Sequence, residues 1–222
     1  MMSLQRRVIE AEILDSLPDE EAALNLQDLV RLNRWTLAHR ELVHRLRGIY
    51  ASNASFRFLD IGSATGDMGA AVQAAFPNAT IFCLDLKLRN LRISKGLRIQ
   101  GDAFSLPLAA GSMDVVHCSL FLHHFDHAQC RLLLLEMERV SRHVILIQDL
   151  FRHWLSYWFL PLTRPFFRWH FAMVSDGQKS VAAAWRRTEL EKLLDSVDLL
   201  PRAEIRWHFP SFRYFIAIMA LR

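Results

Sequence analysis

From residue 56 onward, dense apolar runs alternate with stretches in which apolar residues recur every third or fourth position. The runs lie at 56–61, 79–84, 97–100, 113–118 and 143–148 and are rich in Phe, Ile, Leu and Val. Runs that are apolar with little alternation suit strands covered on both faces. The helical stretches lie at about 66–76, at 87–95, and from Asp126 through Cys130, Leu133, Leu134, Met137 and Val140. Pro77 and Asn78 close the first, Gly96 closes the second, and Asp126 is placed to cap the third. Strand–helix alternation implies a parallel sheet between two helical layers. A further helix over 188–199, with Leu190, Leu193, Leu194 and Val197 inward, precedes two strands at 203–209 and 212–221. A tight turn at Pro210 and Ser211 makes the last strand antiparallel. The predicted fold class is α/β: seven strands, mainly parallel, with helices on both faces.

Two segments stand outside this rhythm. Residues 1–50 have helical spacing and little glycine. Val8, Ile9, Ile13 and Leu17 form a short stripe, and Ser16, Pro18 and Asp19 signal the start of the next helix. Leu24, Leu26, Leu29, Val30 and Leu32 follow. Beyond a break at Asn33 come Trp35, Ala38, Leu42, Val43, Leu46 and Ile49, with Leu37 off the stripe. This spacing predicts amphipathic helices forming an N-terminal lid or flank, with the main domain at 51–222. The second segment, 150–185, gathers Phe151, Trp154, Tyr157, Trp158, Phe159, Phe166, Phe167, Trp169, Phe171 and Trp185 around Pro161 and Pro165. It reads as core filler, as a cover over a substrate, or as a membrane-surface segment: Arg152, Arg164 and Arg168 lie in a stretch without acids from 151 to 175. The substrate cover is the favoured expectation, with peripheral membrane contact through 151–174 as the alternative.

Composition narrows the class. An apolar content of 52% in 222 residues supports a sizeable core, and a net charge of +4 is mildly basic without the dense Lys/Arg stripe of a nucleic-acid binder. Arg142, Asp149, Arg152 and Arg164 interrupt the span 142–165, leaving no apolar stretch of transmembrane length. The start of the chain shows no secretory signal pattern, and Cys83, Cys118 and Cys130 show no CxxC spacing. A cytoplasmic protein with reduced thiols is expected.

Candidate chemistry concentrates in one turn. Asp60-Ile61-Gly62-Ser63-Ala64-Thr65-Gly66-Asp67 joins the first strand to its helix. It departs from the dinucleotide fingerprint, with Ala64 and Asp67 in the second and third glycine places of that register. Asp60 precedes the turn, where an acid accepts hydrogen bonds or pairs with an amine. Asp85 ends the second strand, where a carboxylate holds ribose hydroxyls. Asp102 follows the third, in reach of an adenine amino group. Three acids at successive parallel strand ends share one edge of the sheet, and together they favour a nucleoside ligand.

Asp60 to Gly66, Asp85, Gly101-Asp102-Ala103 and 113–119 resemble the successive motifs of the class I S-adenosylmethionine-dependent methyltransferases over about 55–150. The segment 119–125 is similar to that of the ubiquinone/menaquinone-type small-molecule enzymes. The resemblance implies a Rossmann-like fold with S-adenosylmethionine as cofactor. Gly62, Ala64 and Gly66 would then run beside the methionine moiety, and Asp85 with Leu86 beside it would hold the ribose. Asp102 and Ala103 would hold the adenine, and Ser119 and Leu120 would lie under the cofactor. Ala64 replaces the glycine usual in the family, and its methyl narrows the turn.

Methyl transfer from a sulfonium is an in-line displacement, so positioning supplies much of the catalysis. A phenolic acceptor also needs a base, for which His123 and His124, after the fourth strand, are the candidates. His127 is expected on a helix surface. His123, His127 and Cys130 have a spacing conceivable for a metal, but no matched ligand set supports one, and no metal is expected. The expected reaction is O- or C-methylation of a small apolar aromatic acceptor, phenolic, polyketide or quinone-like, with a catalytically silent cofactor-binding protein as the alternative. Asp60 and Asp67 argue against a nicotinamide enzyme. The absence of base-flipping motifs argues against nucleic acid as the substrate.

Overall fold

The computed structural model describes residues 4–220; the N-terminal Met-Met-Ser and the end of the predicted last strand at Leu221 lie outside them. Seven strands build one sheet: β1 (Arg57–Ile61), β2 (Thr80–Asp85), β3 (Leu97–Gln100), β4 (Met113–Ser119), β5 (Ser141–Leu150), β6 (Ala203–His208) and β7 (Arg213–Met219). Their order is β3-β2-β1-β4-β5-β7-β6. The first five are mutually parallel, and β7 runs antiparallel to both β5 and β6. The strand order therefore reverses between β1 and β4, the switch point outside which open α/β sheets bind ligands.

The central strands, apolar along most of their length, are buried on both sides. One core joins Leu59, Ile61, Val116, Ile145 and Ile147 to α5 (His127–Val140) and α8 (Arg187–Asp195). The other joins Phe58, Val115, Val144 and Leu146 to α2 (Ala38–Arg47) and α3 (Asp67–Ala75). Asp126 begins α5 with a capping box: its side chain accepts from the Gln129 backbone N–H, and the Gln129 side chain accepts from the Asp126 N–H.

The structure departs from the expected helices in four places. Val8 and Ile9 lie outside any helix, the Val8 N–H donating to the Ala182 carbonyl, and only a 3₁₀ turn, Ile13–Ser16, forms there. The next helix, α1 (Asp19–Trp35), passes through Asn33 without a break. The chain turns instead at Leu37, off the apolar stripe, in the left-handed conformation (φ 59°). The helix expected at 87–95 shrinks to a single turn, α4 (Leu88–Leu91), beside Leu86, Leu88 and Ile93, which remain exposed.

The fourth is the aromatic segment, which contains α6 (Trp154–Phe167) and α7 (Phe171–Ala183). Pro161 and Pro165 lie within α6 and remove two backbone donors. Tertiary packing carries the helix over them: Gly177 of α7 leaves no room for a side chain, since a Cβ there would lie 2.3 Å from Leu160 Cδ1. Asp176, buried on α7, accepts from the backbone N–H groups of Ile13 and Leu14 and so pins the N-terminal segment across the sheet edge.

Candidate active site

A cavity of about 420 Å³ opens along the carboxyl edge of the sheet. Gly62 and Ala64 after β1, Asp85 and Leu86 around the end of β2, Asp102 and Ala103 after β3, and Ser119 and Leu120 at the end of β4 line its floor. Leu26, Leu29 and Leu32 of α1, Phe159 and Leu160 of α6, and Met173 of α7 line the apolar side. The size and the mix of apolar wall with few polar groups are those of a small-ligand site.

Backbone conformation shapes the floor. Gly62 has φ 63°, and a Cβ there would lie 2.5 Å from the Phe121 ring. Only glycine combines that conformation with that approach. Ala64 is left-handed as well (φ 46°), as are Leu120 and Phe212 on the cavity wall (φ 52° and 53°). Such conformations cost L-residues energy and cluster at ligand sites. The Ala64 N–H donates to Asp85 Oδ2 at 3.1 Å, while Asp85 Oδ1 accepts from the Lys87 N–H at 2.8 Å and Asn90 Nδ2 donates to both oxygens. Asp85 is thus fixed in one rotamer at the cavity edge. Asp102 Oδ1 accepts from the Phe104 N–H at 2.9 Å, orienting the second acid.

Two expected cofactor contacts, Asp60 and Gly66, need correction, and the role of Asp67 becomes clear beside them. Asp60 is buried and does not line the cavity: its Oδ1 meets His117 Nδ1 at 2.7 Å, and His117 Nε2 meets Gln148 Oε1 at 3.2 Å. Burial raises the Asp60 pKa above the ordinary range, against the pull of His117. Asp60 therefore braces the turn from below. Gly66, also outside the lining, caps α3 in a left-handed conformation, where a Cβ would meet Ser94 Cβ at 2.7 Å. Asp67, in the dinucleotide glycine place, accepts from Asn33 Nδ2, pairs with His39 Nε2 at 2.6 Å and accepts from Thr65 Oγ1. It ties α3 to α1 and α2.

The two histidines differ. His123 is buried, with Nδ1 2.7 Å from Asp149 Oδ1 and Nε2 3.9 Å from Glu12 Oε1. Burial disfavours its charge, but the Asp149 and Glu12 carboxylates outweigh burial and raise its pKa to about 9. Glu12 falls to about 2: the His123 and His124 contacts and the Ser180 hydroxyl overcome its own desolvation. His123 is thus held towards its cationic form between two carboxylates, which disfavours it as a base at neutral pH. His124 lies against it, ring centroids 4.3 Å apart and tilted by 32°, and both histidines line the cavity. His127 is exposed at the start of α5, and the Cys130 thiol donates to the Leu122 carbonyl. The one set of metal-ligating atoms close together among the described residues is instead Glu12, His123 and His124, within 4.8 Å. Here the imidazolium itself provides the positive charge between the carboxylates.

Sequence reasoning missed four contributors. Asp149, at the end of β5, obeyed the same strand-end rule as Asp85 and was legible by it. Glu12, Asp176 and Arg213 carried no local signal. Arg213 is buried, its guanidinium donating to Asn33 Oδ1 (2.6 Å) and Ser119 Oγ (3.2 Å), and burial lowers its pKa to about 10. Arg213 Nε, Asn25 Nδ2 and Ser156 Oγ, all on lining residues, are buried without a hydrogen-bond partner among the described residues. Buried polar groups of this kind are normally paired, so the cavity wall has donor capacity to spare for a polar ligand. Oriented acids at the ends of β2 and β3, a glycine floor and spare donors fit a nucleoside with a polar tail.

Residues 58–143 match the family described as a methyltransferase domain. No curated protein matches the chain significantly by sequence. Among solved structures, a Nostoc punctiforme protein provisionally assigned as an O-methyltransferase aligns with a TM-score of 0.62 at 20% identity, covering 83% of this chain. The alignment spans only 56% of that protein's length. The magnesium protoporphyrin IX methyltransferase of Synechocystis, solved with bound S-adenosylmethionine, aligns at 0.59 and 11% identity over 88% of this chain and 84% of its own. A methyltransferase from Aquifex aeolicus aligns at 0.58 and 11% over 81% and 89%. The chain thus has the class I methyltransferase fold, and its residues 58–143 are similar to the methyltransferase-domain family.

Proposed function

We propose that this protein is an S-adenosylmethionine-dependent methyltransferase acting on oxygen or carbon of a small apolar aromatic acceptor. The observation that carries the reading is Asp85, held by Ala64, Lys87 and Asn90 at the edge of a cavity floored by Gly62. When bound, S-adenosylmethionine supplies an electrophilic methyl group on a positively charged sulfur. Asp85 would accept from the ribose hydroxyls, and Asp102 with Ala103 would hold the adenine. Arg213, beside Ser119, supplies positive charge for the amino-acid carboxylate. Leu29, Leu32, Phe159, Leu160 and Met173 exclude water and favour an apolar acceptor, which helps a reaction that disperses charge.

His124 takes the acceptor proton at an imidazole nitrogen. The imidazolium of His123, anchored by Asp149 and Glu12, fixes the position of the ring beside it. The test is incubation with S-adenosylmethionine labelled in its methyl group and a panel of phenols, quinols and aromatic polyketides. Label in an organic-soluble product is expected. His124→Ala should lower kcat by about 10²-fold or more while cofactor affinity stays constant. Transfer unaffected by His124→Ala would refute the base assignment, and no transfer to any member of the panel would refute the acceptor class.

A further inference from the structure

The outer face of α6 is apolar where a helix of a water-surrounded protein is ordinarily polar. At 100° per residue, Trp154, Leu155, Trp158, Leu162 and Phe166 occupy a single arc of roughly 120°. All five are exposed, Phe166 at 84% and Leu162 at 68%. The adjoining arc, from about 140° to 240°, carries Phe159, Ser156 and Leu160 to the cavity. One helix therefore separates the cavity from an apolar outer surface.

The surface continues beyond the helix. Ring contacts run from Trp207 through Phe151 and His153 to Trp154, with centroids 6.5, 5.2 and 5.6 Å apart. Trp207 and Phe209, at the β6–β7 end, are 50% and 64% exposed. The segment that carries the helix has cations and no acids. No Asp or Glu occurs from 151 to 175. Arg152 is buried against Glu189, whereas Arg164 and Arg168, near the end of α6, are exposed and have no carboxylate partner among the described residues. No helix among the described residues is long and apolar enough to cross a membrane. Exposed Trp and Phe beside Arg, on a helix too short to span, is the composition of an element lying in the plane of a bilayer interface.

We propose that the α6 face and the adjoining β6–β7 turn dock on an anionic lipid bilayer. Resting on the methyltransferase reading, we infer that the acceptor is a lipid-soluble aromatic compound taken up from that bilayer. Exposed aromatic rings flanked by Arg164 and Arg168, in a segment without an acid, select an anionic lipid interface as the occupant, and a second copy of the chain is the alternative that the test excludes.

The test is co-sedimentation of the full chain with phosphatidylcholine vesicles, with and without phosphatidylglycerol, at low and high salt. Binding to the anionic vesicles is expected, on the order of tenfold weaker on neutral ones or after Arg164→Gln with Arg168→Gln. Trp158→Ser with Phe166→Ser should reduce binding by about tenfold or more. Isothermal titration of the same variants with S-adenosylmethionine should match wild type, which distinguishes loss of docking from loss of the fold. Absence of vesicle binding by wild type, binding unchanged in the Trp158/Phe166 variant, or a wild-type dimer that this variant dissociates would overturn the proposal. Vesicle binding by a wild-type chain that fails to bind S-adenosylmethionine would uphold the docking surface and remove the enzymatic reading alone.

Discussion

Replacing Asp149 with Asn tests the charge network under the cavity through the pH dependence of stability. His123 is fully buried, and its pKa rises from 6.5 to about 9 on folding, chiefly because Asp149 and Glu12 outweigh burial. At about 1.4 kcal/mol per tenfold change in proton affinity, that difference corresponds to about 3 kcal/mol. The folded state holds the proton more tightly than the unfolded chain, so stability falls wherever the unfolded chain has lost it and the folded state has not. The contribution is fully present below pH 6.5 and is lost as pH rises to about 9. Wild type should therefore lose about 3 kcal/mol between these limits, as measured by urea unfolding at pH 6, 7, 8, 9 and 10. Asp149→Asn removes the principal anion and should cost about 3 kcal/mol at pH 6, in the range for breaking a buried pair. Above pH 9 the difference should shrink to about 1 kcal/mol, the worth of the remaining hydrogen bonds. Parallel stability curves for the two proteins from pH 6 to 10 would refute the reasoning, because the variant would then have lost packing and not a charge partner.

Three further outcomes follow from the site. The acid limb has its own cause: Glu12 has a pKa lowered to about 2, so its contribution, present above 4.5, should disappear between pH 4.5 and 2, and Glu12→Gln should flatten that limb in acid unfolding. Ala64→Gly should relieve a left-handed alanine and stabilise the chain by about 1 kcal/mol in urea unfolding, a gain that equal or lower stability would contradict. Gly62→Ala would drive a methyl into the Phe121 ring; calorimetry should show cofactor binding lost or at least about tenfold weaker, and binding at the wild-type level would mean that the turn is free to move.

Much of the frame was legible because its signals are local. Apolar runs of strand length separated by helical periods set out the five parallel strands, and the closing hairpin required the antiparallel seventh. Asp85 and Asp102 could be assigned from one rule, that parallel strands share a carboxyl edge. The same rule placed Asp60 there, yet it cannot tell an acid facing the cavity from one turned beneath the sheet edge towards His117. That distinction depends on which face each residue takes in register with β4. Ala64 stands out in the sequence as a departure from glycine, but its positive φ and its hydrogen bond to Asp85 belong to the folded turn. The helix across Pro161 and Pro165 ran against local propensity, and packing on Gly177 overrode it. The cation at His123 depends on Asp149, 26 residues on and legible only as a strand-end acid, and on Glu12, 111 residues back, which no local pattern announces.

The central claim is that Asp85 and the turn after β1 hold the nucleoside of S-adenosylmethionine. Isothermal titration of wild type and Asp85→Ala with S-adenosylmethionine and its demethylated product tests this most directly. Wild type should bind both, and Asp85→Ala should weaken each by about 10- to 100-fold, the worth of charged hydrogen bonds to two hydroxyls, while keeping wild-type thermal unfolding within a few degrees. No binding by wild type, or equal binding by Asp85→Ala, would contradict the account.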